Sequence, residues 1–150
     1  TVSYSRTESV HIVMPSNING TDSLFGGQLM EWIDIIAAVV ARRHSGCQVT
    51  TAAVDNLVFK SPAFKNDTIL LIGKMCYVGN TSMDVRVETY VEKIDGTKTL
   101  INTAYLTLVA LDENGKPTKV PRLILENEND RTEYDKAILR RSSCKFKPKY

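Results

Sequence analysis

The sequence is short of histidine and cysteine, and it lacks any long apolar run. Two histidines, His11 and His44, and three cysteines, Cys47, Cys76 and Cys144, are all that 150 residues offer. None falls at a metal-ligand spacing, so a zinc centre would have to be assembled from scattered side chains and no metal site is expected. An odd number of unpaired cysteines points to reduced thiols in a cytosolic protein. No stretch of about 18 apolar residues and no basic, apolar and small-residue signal segment is present, so neither a membrane span nor secretion is expected, and the cytoplasm is the expected location. An excess of one charge is missing too: 19 basic against 17 acidic residues leave +2, gathered mainly in the tail "KFKPKY". Charge balance therefore makes no case for a nucleic-acid partner. "FGG" lacks the full spacing of a Walker or dinucleotide loop.

What is there suffices for one core: 43% of the residues are hydrophobic, and the length is that of a single domain without an internal repeat or low-complexity linker. "SVHIV" (9–13) reads as a first strand, and "PSNINGTDS" (15–23) as a long polar loop. A helix follows. Leu29, Ile33, Ile36, Ala37 and Val40 keep to one face at 3.6 residues per turn, Arg42, Arg43 and His44 suit the negative end of the helix dipole, and Gly46 supplies the stop. The period then changes to two. Strands are expected over 49–59, 67–78, 82–92 and 99–112, with turns at Gly79-Asn80, Asp95-Gly96 and Asn114-Gly115. In the third of these strands Met83, Val85, Val87 and Val91 oppose Asp84, Arg86, Glu88 and Glu92.

The helix poses a question. Within the run from Trp32 to Ala41 stands one carboxylate, Asp34. Left ionised and unpaired out of water it would cost several kcal/mol or shift its pKa, on the order of the known penalties for buried charge. The helix is apolar nearly all round, so an antiparallel sheet wrapping it is the economical way to bury it, with the remaining face turned to a ligand or a second subunit. Residues 122–142 are expected to form a polar helix outside the sheet, followed by a loose basic tail.

This α+β arrangement, about five antiparallel strands around one long central helix plus a C-terminal helix, is the hotdog fold. "MPSNINGTDSLFGGQLMEWID" resembles the N-terminal signature of the hotdog acyl-coenzyme A thioesterases, the YciA-like cytosolic acyl-CoA hydrolases: an Asn-x-x-Gly loop, then Phe-Gly-Gly, then Met-x-x-x-Asp. "ARRHSG", "VDNLVFKSP", "YVGNTSMDV" and "LVALDENGKPTKVP" follow in that family's order, so the resemblance spans about residues 9–122. One departure is the segment "TDSL", which makes the loop before Phe25 two residues longer than the commoner form. Residues 1–122 then make up the thioesterase domain, with 123–150 a helix and basic tail belonging to it.

The residues suit the implied hydrolysis of an acyl-CoA to free acid and coenzyme A. Gly26 and Gly27 open the helix with exposed N–H groups backed by its positive dipole end, an oxyanion hole whose loss elsewhere costs on the order of 3 kcal/mol. Asp34 would be general base or nucleophile. It lies seven residues past Gly27, roughly 10 Å along the axis at 1.5 Å per residue, too far for one chain to bring both to one carbonyl. A two-fold dimer with antiparallel helices brings Asp34 of one subunit to the glycine pair of the other. The resemblance implies the same interfacial sites, often in a trimer of dimers. Ala37, Ala38 and Ala41, beside Asp34, are all small and are expected to leave room around it.

The resemblance also makes Asn17 the residue that orients water or thioester, with Asn19 the competing choice. It places the coenzyme phosphates near Asn80, Thr81, Ser82, Pro121 and Arg122. Arg43, Lys60, Lys74 and Lys119 are further candidates because phosphates call for cations and N–H donors. Coenzyme A is part of the substrate, and no other cofactor is expected. Each assignment has a plainer competitor. The glycines could serve packing, Asp34 could be a structural acid, and Gly79–Ser82 needs no ligand to be a turn. Asp55 reads as structural, His44 as a helix-end residue and Trp32 as core. A hotdog dehydratase would want a helix histidine, which His11 and His44 do not provide. A non-catalytic acyl-CoA-binding module is the alternative reading.

Overall fold

The computed structural model describes residues 1–55 and 59–143. One sheet holds five strands, β1 (Thr7–Ile12), β2 (Gln48–Asp55), β3 (Thr68–Val78), β4 (Ser82–Glu92) and β5 (Lys98–Leu111). Their order is β1-β3-β4-β5-β2 and every pairing is antiparallel. The expected meander is β3-β4-β5. Gly96 and Gly115 take φ of +90° and +75° in the turns that follow β4 and β5, a conformation that glycine adopts without strain. The end of the strand expected over 49–59 runs into 56–58, which lie outside the described residues, as do Cys144 and the basic tail.

Helix α2 (Gly26–Ser45) crosses the inner face of the sheet. Leu29, Ile33, Ile36, Ala37, Val40 and Ala41 are buried against Ile69, Leu71, Met75, Val85, Val87, Leu106 and Leu108. The close approach depends on Gly73 of β3, where a Cβ would sit 2.9 Å from Val40 Cγ2. Gly46 ends the helix in the left-handed conformation, its N–H donating to the Arg42 carbonyl at 2.8 Å. Truncating a buried leucine or isoleucine of this face to alanine would cost about 2–5 kcal/mol. Trp32 is half-buried and stacks on His11 of β1 at 4.2 Å.

The outer face carries the opposite chemistry. Helix α3 (Glu128–Ser143) lies there, as the polar pattern implied, but starts at Glu128 rather than 122. The cause is local: the Asn127 side chain accepts from the Asp130 amide at 2.9 Å and caps the first turn. Arg141 of α3 reaches Asp84 at 2.8 and 3.0 Å, and Arg86 pairs with both Glu88 and Glu133. Arg140 lies over the Tyr105 ring, 3.6 Å from its centre. Two short elements were not expected from the sequence, a helical turn α1 (Val2–Ser5) and a 3-10 turn over Pro15–Asn17. No helix among the described residues is long and apolar enough to cross a membrane.

Candidate active site

The glycine pair begins α2 because Phe25, extended at φ −66° and ψ 129°, is its N-cap. Gln28 and Leu29 donate back to the Phe25 carbonyl, which leaves the Gly26 and Gly27 amides at the open end of the helix. Among the described residues no acceptor meets either amide. The two glycines differ in why they are needed. A Cβ on Gly26 would make ordinary contact with Phe59 at 3.7 Å, whereas one on Gly27 would meet the Phe25 ring at 2.6 Å. Packing thus accounts for the second glycine, and presentation of free amides is common to both.

Asn17 stands beside this helix end. Its carbonyl accepts from the Phe25 amide at 2.7 Å, its side-chain Oδ1 accepts from the Met14 amide at 2.8 Å, and its Nδ2 donates to Gln28 Oε1 at 3.1 Å. Asn19 serves its own loop instead. Its Oδ1 accepts from the Thr21 amide, the Thr21 hydroxyl and the Ser23 amide at 2.9, 2.7 and 3.3 Å, and the residue is exposed. Its carboxamide shapes the turn.

Two helical turns on, Asp34 is half-buried and its Oδ1 accepts from the Thr51 hydroxyl of β2 at 2.6 Å. Among the described residues no cation pairs with it. Thr51 was not singled out in the sequence, where "VTTAAVD" shows only strand alternation. The one signal is structural: the β2–β5 register shifts between Thr51 and Ala53, and such bulges re-aim neighbouring side chains. Of the small residues expected to leave space around Asp34, Ala37 and Ala41 are instead fully buried against the chain's own sheet. Ala38 alone stays half-open beside the carboxylate, and the adjacent Ile35 is 55% exposed.

The coenzyme candidates divide between the two ends of α2. At its C-terminal end the Val120 amide donates to the Asn80 carbonyl at 2.9 Å, Arg122 donates to the Gly79 and Val120 carbonyls, and His44 Nε2 lies 2.9 Å from the Pro121 carbonyl. These contacts gather Asn80, Thr81, Lys119 and Arg122, and the Thr81 hydroxyl is buried with no partner among the described residues. Ser82 belongs to the same turn but is buried and accepts from Arg141 at 3.0 Å, so its hydroxyl serves the outer face. Arg43 donates to the Thr7 hydroxyl at 3.0 Å. Lys60 stands apart, near the glycine end, its amide bound to the Ile101 carbonyl at 2.8 Å. Lys74 is half-buried on β3 opposite Arg86, and Asp55 is exposed at the end of β2. No group of three His, Cys, Asp or Glu side chains placed to hold a metal occurs among the described residues.

A curled five-stranded antiparallel sheet around one long helix, with a further helix on its outer face, is the hotdog architecture. Residues 22–97 match the thioesterase superfamily, and the chain belongs to that family, as the sequence led us to expect. It is 37% identical to a Bacillus subtilis protein named as an uncharacterized acyl-CoA thioester hydrolase, over 92% of this chain and 81% of that one. It is 32% identical over 90% of its length to the rat cytosolic acyl coenzyme A thioester hydrolase, of which it spans 36%. Among solved structures, an apo-hexameric acyl-CoA thioesterase superposes with a TM-score of 0.87 at 36% identity, covering 94% of this chain and 91% of that one. An acyl-CoA hydrolase from Staphylococcus aureus, solved with butyryl coenzyme A, coenzyme A and coenzyme A disulfide, gives 0.86 at 36%, covering 93% and 85%. That enzyme has also been solved with alanine replacing an aspartate, an asparagine or a threonine. Its aspartate and threonine are seventeen positions apart, as are Asp34 and Thr51. Its asparagine precedes the aspartate by fifteen. That is the spacing of Asn19 from Asp34, whereas Asn17 precedes it by seventeen.

Proposed function

We propose that the protein hydrolyses acyl-CoA thioesters to free acid and coenzyme A, with Asp34 as general base or nucleophile and the Gly26-Gly27 amides as oxyanion hole. The observation that carries this reading is the state of Asp34: a half-buried carboxylate with, among the described residues, one neutral hydroxyl donor, on the flank of α2 that its own sheet leaves uncovered. With no cation against it among the described residues the carboxylate stays available to a ligand, and the hydrogen bond from Thr51 fixes its orientation. The same aspartate–threonine spacing in the Staphylococcus aureus enzyme supports assigning both residues to the site.

Asp34 and the glycine pair share one helix, two turns apart, so one thioester carbonyl reaches both only across two chains. Antiparallel pairing of two copies of α2 sets Asp34 of one protomer against the open amides of the other. The 55% exposure of Ile35, next to Asp34, leaves apolar surface there for such pairing. An asparagine of the loop, Asn17 or the competing Asn19, places an N–H or carbonyl toward the thioester or water opposite Asp34; the Oδ1 of each accepts from loop amides, and the fifteen-residue spacing favours Asn19. The cluster of Asn80, Thr81, Lys119 and Arg122 offers cations and donors to coenzyme phosphates, with Arg43 close to the same end of α2 and Lys60 supplied from the opposite end. Assembly beyond the dimer to a hexamer, a cytoplasmic location and independence from any cofactor belong to the same proposal. The test is release of free thiol from a panel of short to long acyl-CoA esters. Turnover that collapses in Asp34→Ala, with assembly and ester binding kept, supports the reading, and equal turnover by the variant makes Asp34 structural.

A further inference from the structure

The turn from Gly79 to Ser82 is held from two directions. On the side of the coenzyme candidates Arg122 donates to the Gly79 carbonyl and the Val120 amide to the Asn80 carbonyl at 2.9 Å, while the Thr81 carbonyl accepts from the Ala110 amide at 3.0 Å. From the outer face α3 reaches the same turn. Arg141 Nη2 donates to the Ser82 hydroxyl at 3.0 Å, and the guanidinium is itself anchored by Asp84 at 2.8 and 3.0 Å and by the Tyr77 ring, 4.4 Å from its centre. Gly79 makes room for this contact: a Cβ there would sit 2.8 Å from Ser82 Oγ and 3.3 Å from Arg141 Nη1. Ser82 is 2% exposed, whereas Asn80 is exposed. The turn thus hands one side chain to α3 and keeps another open to a ligand.

We infer that Arg141 is a positioning residue for the coenzyme: through the Ser82 hydroxyl it fixes the Gly79–Ser82 turn from behind, and with it the Asn80 and Thr81 groups that face the ligand. The inference rests on the assignment of Asn80, Thr81, Lys119 and Arg122 to the coenzyme proposed above. Donors held in place before the ligand arrives bind it more tightly than donors that must be ordered on binding. The cluster lies by the C-terminal end of α2, where His44 Nε2 is 2.9 Å from the Pro121 carbonyl, and none of its groups touches the reacting carbonyl. Loosening it therefore weakens binding of the ester and spares the chemical step.

The test measures coenzyme A binding by calorimetry, and kcat and KM for thiol release, in Ser82→Ala, Arg141→Ala, the double variant and Asp84→Asn. Ser82→Ala removes the tie and leaves Arg141 paired with Asp84, so it keeps the fold. It is expected to raise Kd and KM about fivefold with kcat within about twofold of wild type, and the double variant to bind no more weakly than Arg141→Ala. Asp84→Asn keeps an acceptor for Arg141 and the contact with Ser82, so it lowers stability without raising Kd. Wild-type Kd in Ser82→Ala, a defect confined to kcat, or a rise in Kd in Asp84→Asn equal to that in Arg141→Ala overturns the inference. The paired variant Asn80→Ala/Lys119→Ala tests the coenzyme assignment separately. If it binds coenzyme A as the wild type does, or the wild type binds none, that assignment fails and the inference falls with it. If it binds weakly while Ser82→Ala binds normally, the inference alone fails.

Discussion

Two aspartates sit in sheltered parts of the molecule, and each receives a threonine hydroxyl. Asp34, on the uncovered flank of α2, accepts from Thr51 at 2.6 Å. Asp84, on the outer face of β4, accepts from Thr107 at 2.8 Å and from Arg141 twice, at 2.8 and 3.0 Å. The difference is the cation. Asp84 is 4% exposed, its charge is neutralised by a guanidinium, and both its oxygens are engaged. Asp34 is half-open and, among the described residues, has a neutral donor only. A carboxylate that ties down a helix is saturated, and one that is to do chemistry is oriented but left with capacity to accept a proton or attack a carbon. In sequence Asp34 is a single acid in an apolar helical run, whereas Asp84 stands on the polar side of an alternating strand with Arg86, Glu88 and Glu92.

The comparison breaks most sharply by removing each acid in turn. Asp34→Asn keeps the volume and the contact with Thr51 but loses basicity and nucleophilicity. It should lower kcat by about a thousandfold, within the range for losing a general base, while the midpoint of thermal unfolding stays close to wild type. Asp84→Asn should do the reverse. It strands Arg141, whose side chain keeps 29% exposure, so the loss of stability is about 2–4 kcal/mol, less than for a fully buried pair. Urea unfolding reads that loss, and thiol release below the new transition should stay near wild type. If Asp34→Asn costs mainly stability, the two acids play the same structural role and the catalytic assignment is lost.

The inner half of this architecture was legible because its signals are periodic. The face from Leu29 to Val40 recurs at helical spacing, β4 alternates residue by residue, and Gly46 and Gly96 mark turns by a conformation other residues avoid. Helix α3 was legible as a polar helix but not in its start, because capping by Asn127 is decided by one side-chain hydrogen bond. The candidate site was legible where a motif lies along one element, as in Phe25-Gly26-Gly27 and Asp34. Thr51 was not, since its contact joins two elements through a register shift that leaves no trace in local alternation. Nor was the use of Ser82, which stands in the same turn as Asn80 but faces Arg141 on the other side of the sheet.

The Asp84 region can be probed further by pH, and here the two regions should differ in kind. Cys76 lies behind Asp84, donating its S–H to the Asp84 carbonyl at 3.3 Å. Burial pushes its thiol up from 9.0 to about 12, and the neighbouring Asp84 carboxylate adds to the rise. A raised acid pKa means that the folded state holds its proton where the unfolded chain has released it. This contribution to stability is therefore full below pH 9.0 and is lost as pH climbs toward about 12. Within that window the slope is about 1.4 kcal/mol per pH unit. Stability measured from pH 8 to 11 should fall less steeply in Cys76→Ala than in wild type by that amount, whatever the state of Asp34. Equal slopes would mean that the thiol is reached by solvent and that α3 is a looser cover than its ion pairs imply.

The two threonines give the smallest effects and the cleanest separation. Each donates one hydroxyl to a carboxylate, so each loss is on the order of 1 kcal/mol, but the loss should appear in different measurements. Thr107→Val removes one of three hydrogen bonds on Asp84, and Arg141 still neutralises the charge. Stability should drop by about 1 kcal/mol with kcat unchanged. Thr51→Val removes the one side-chain donor that the described residues offer Asp34 and leaves the carboxylate freer to turn at a position open to water, where folding loses little. Its cost should appear as about a fivefold drop in kcat at nearly constant KM, because orientation matters most when the reacting atoms meet. If Thr51→Val instead lowers stability and spares kcat, the Thr51 hydroxyl serves to hold β2 against α2. The resemblance between the two Asp–Thr pairs would then extend from their geometry to their purpose.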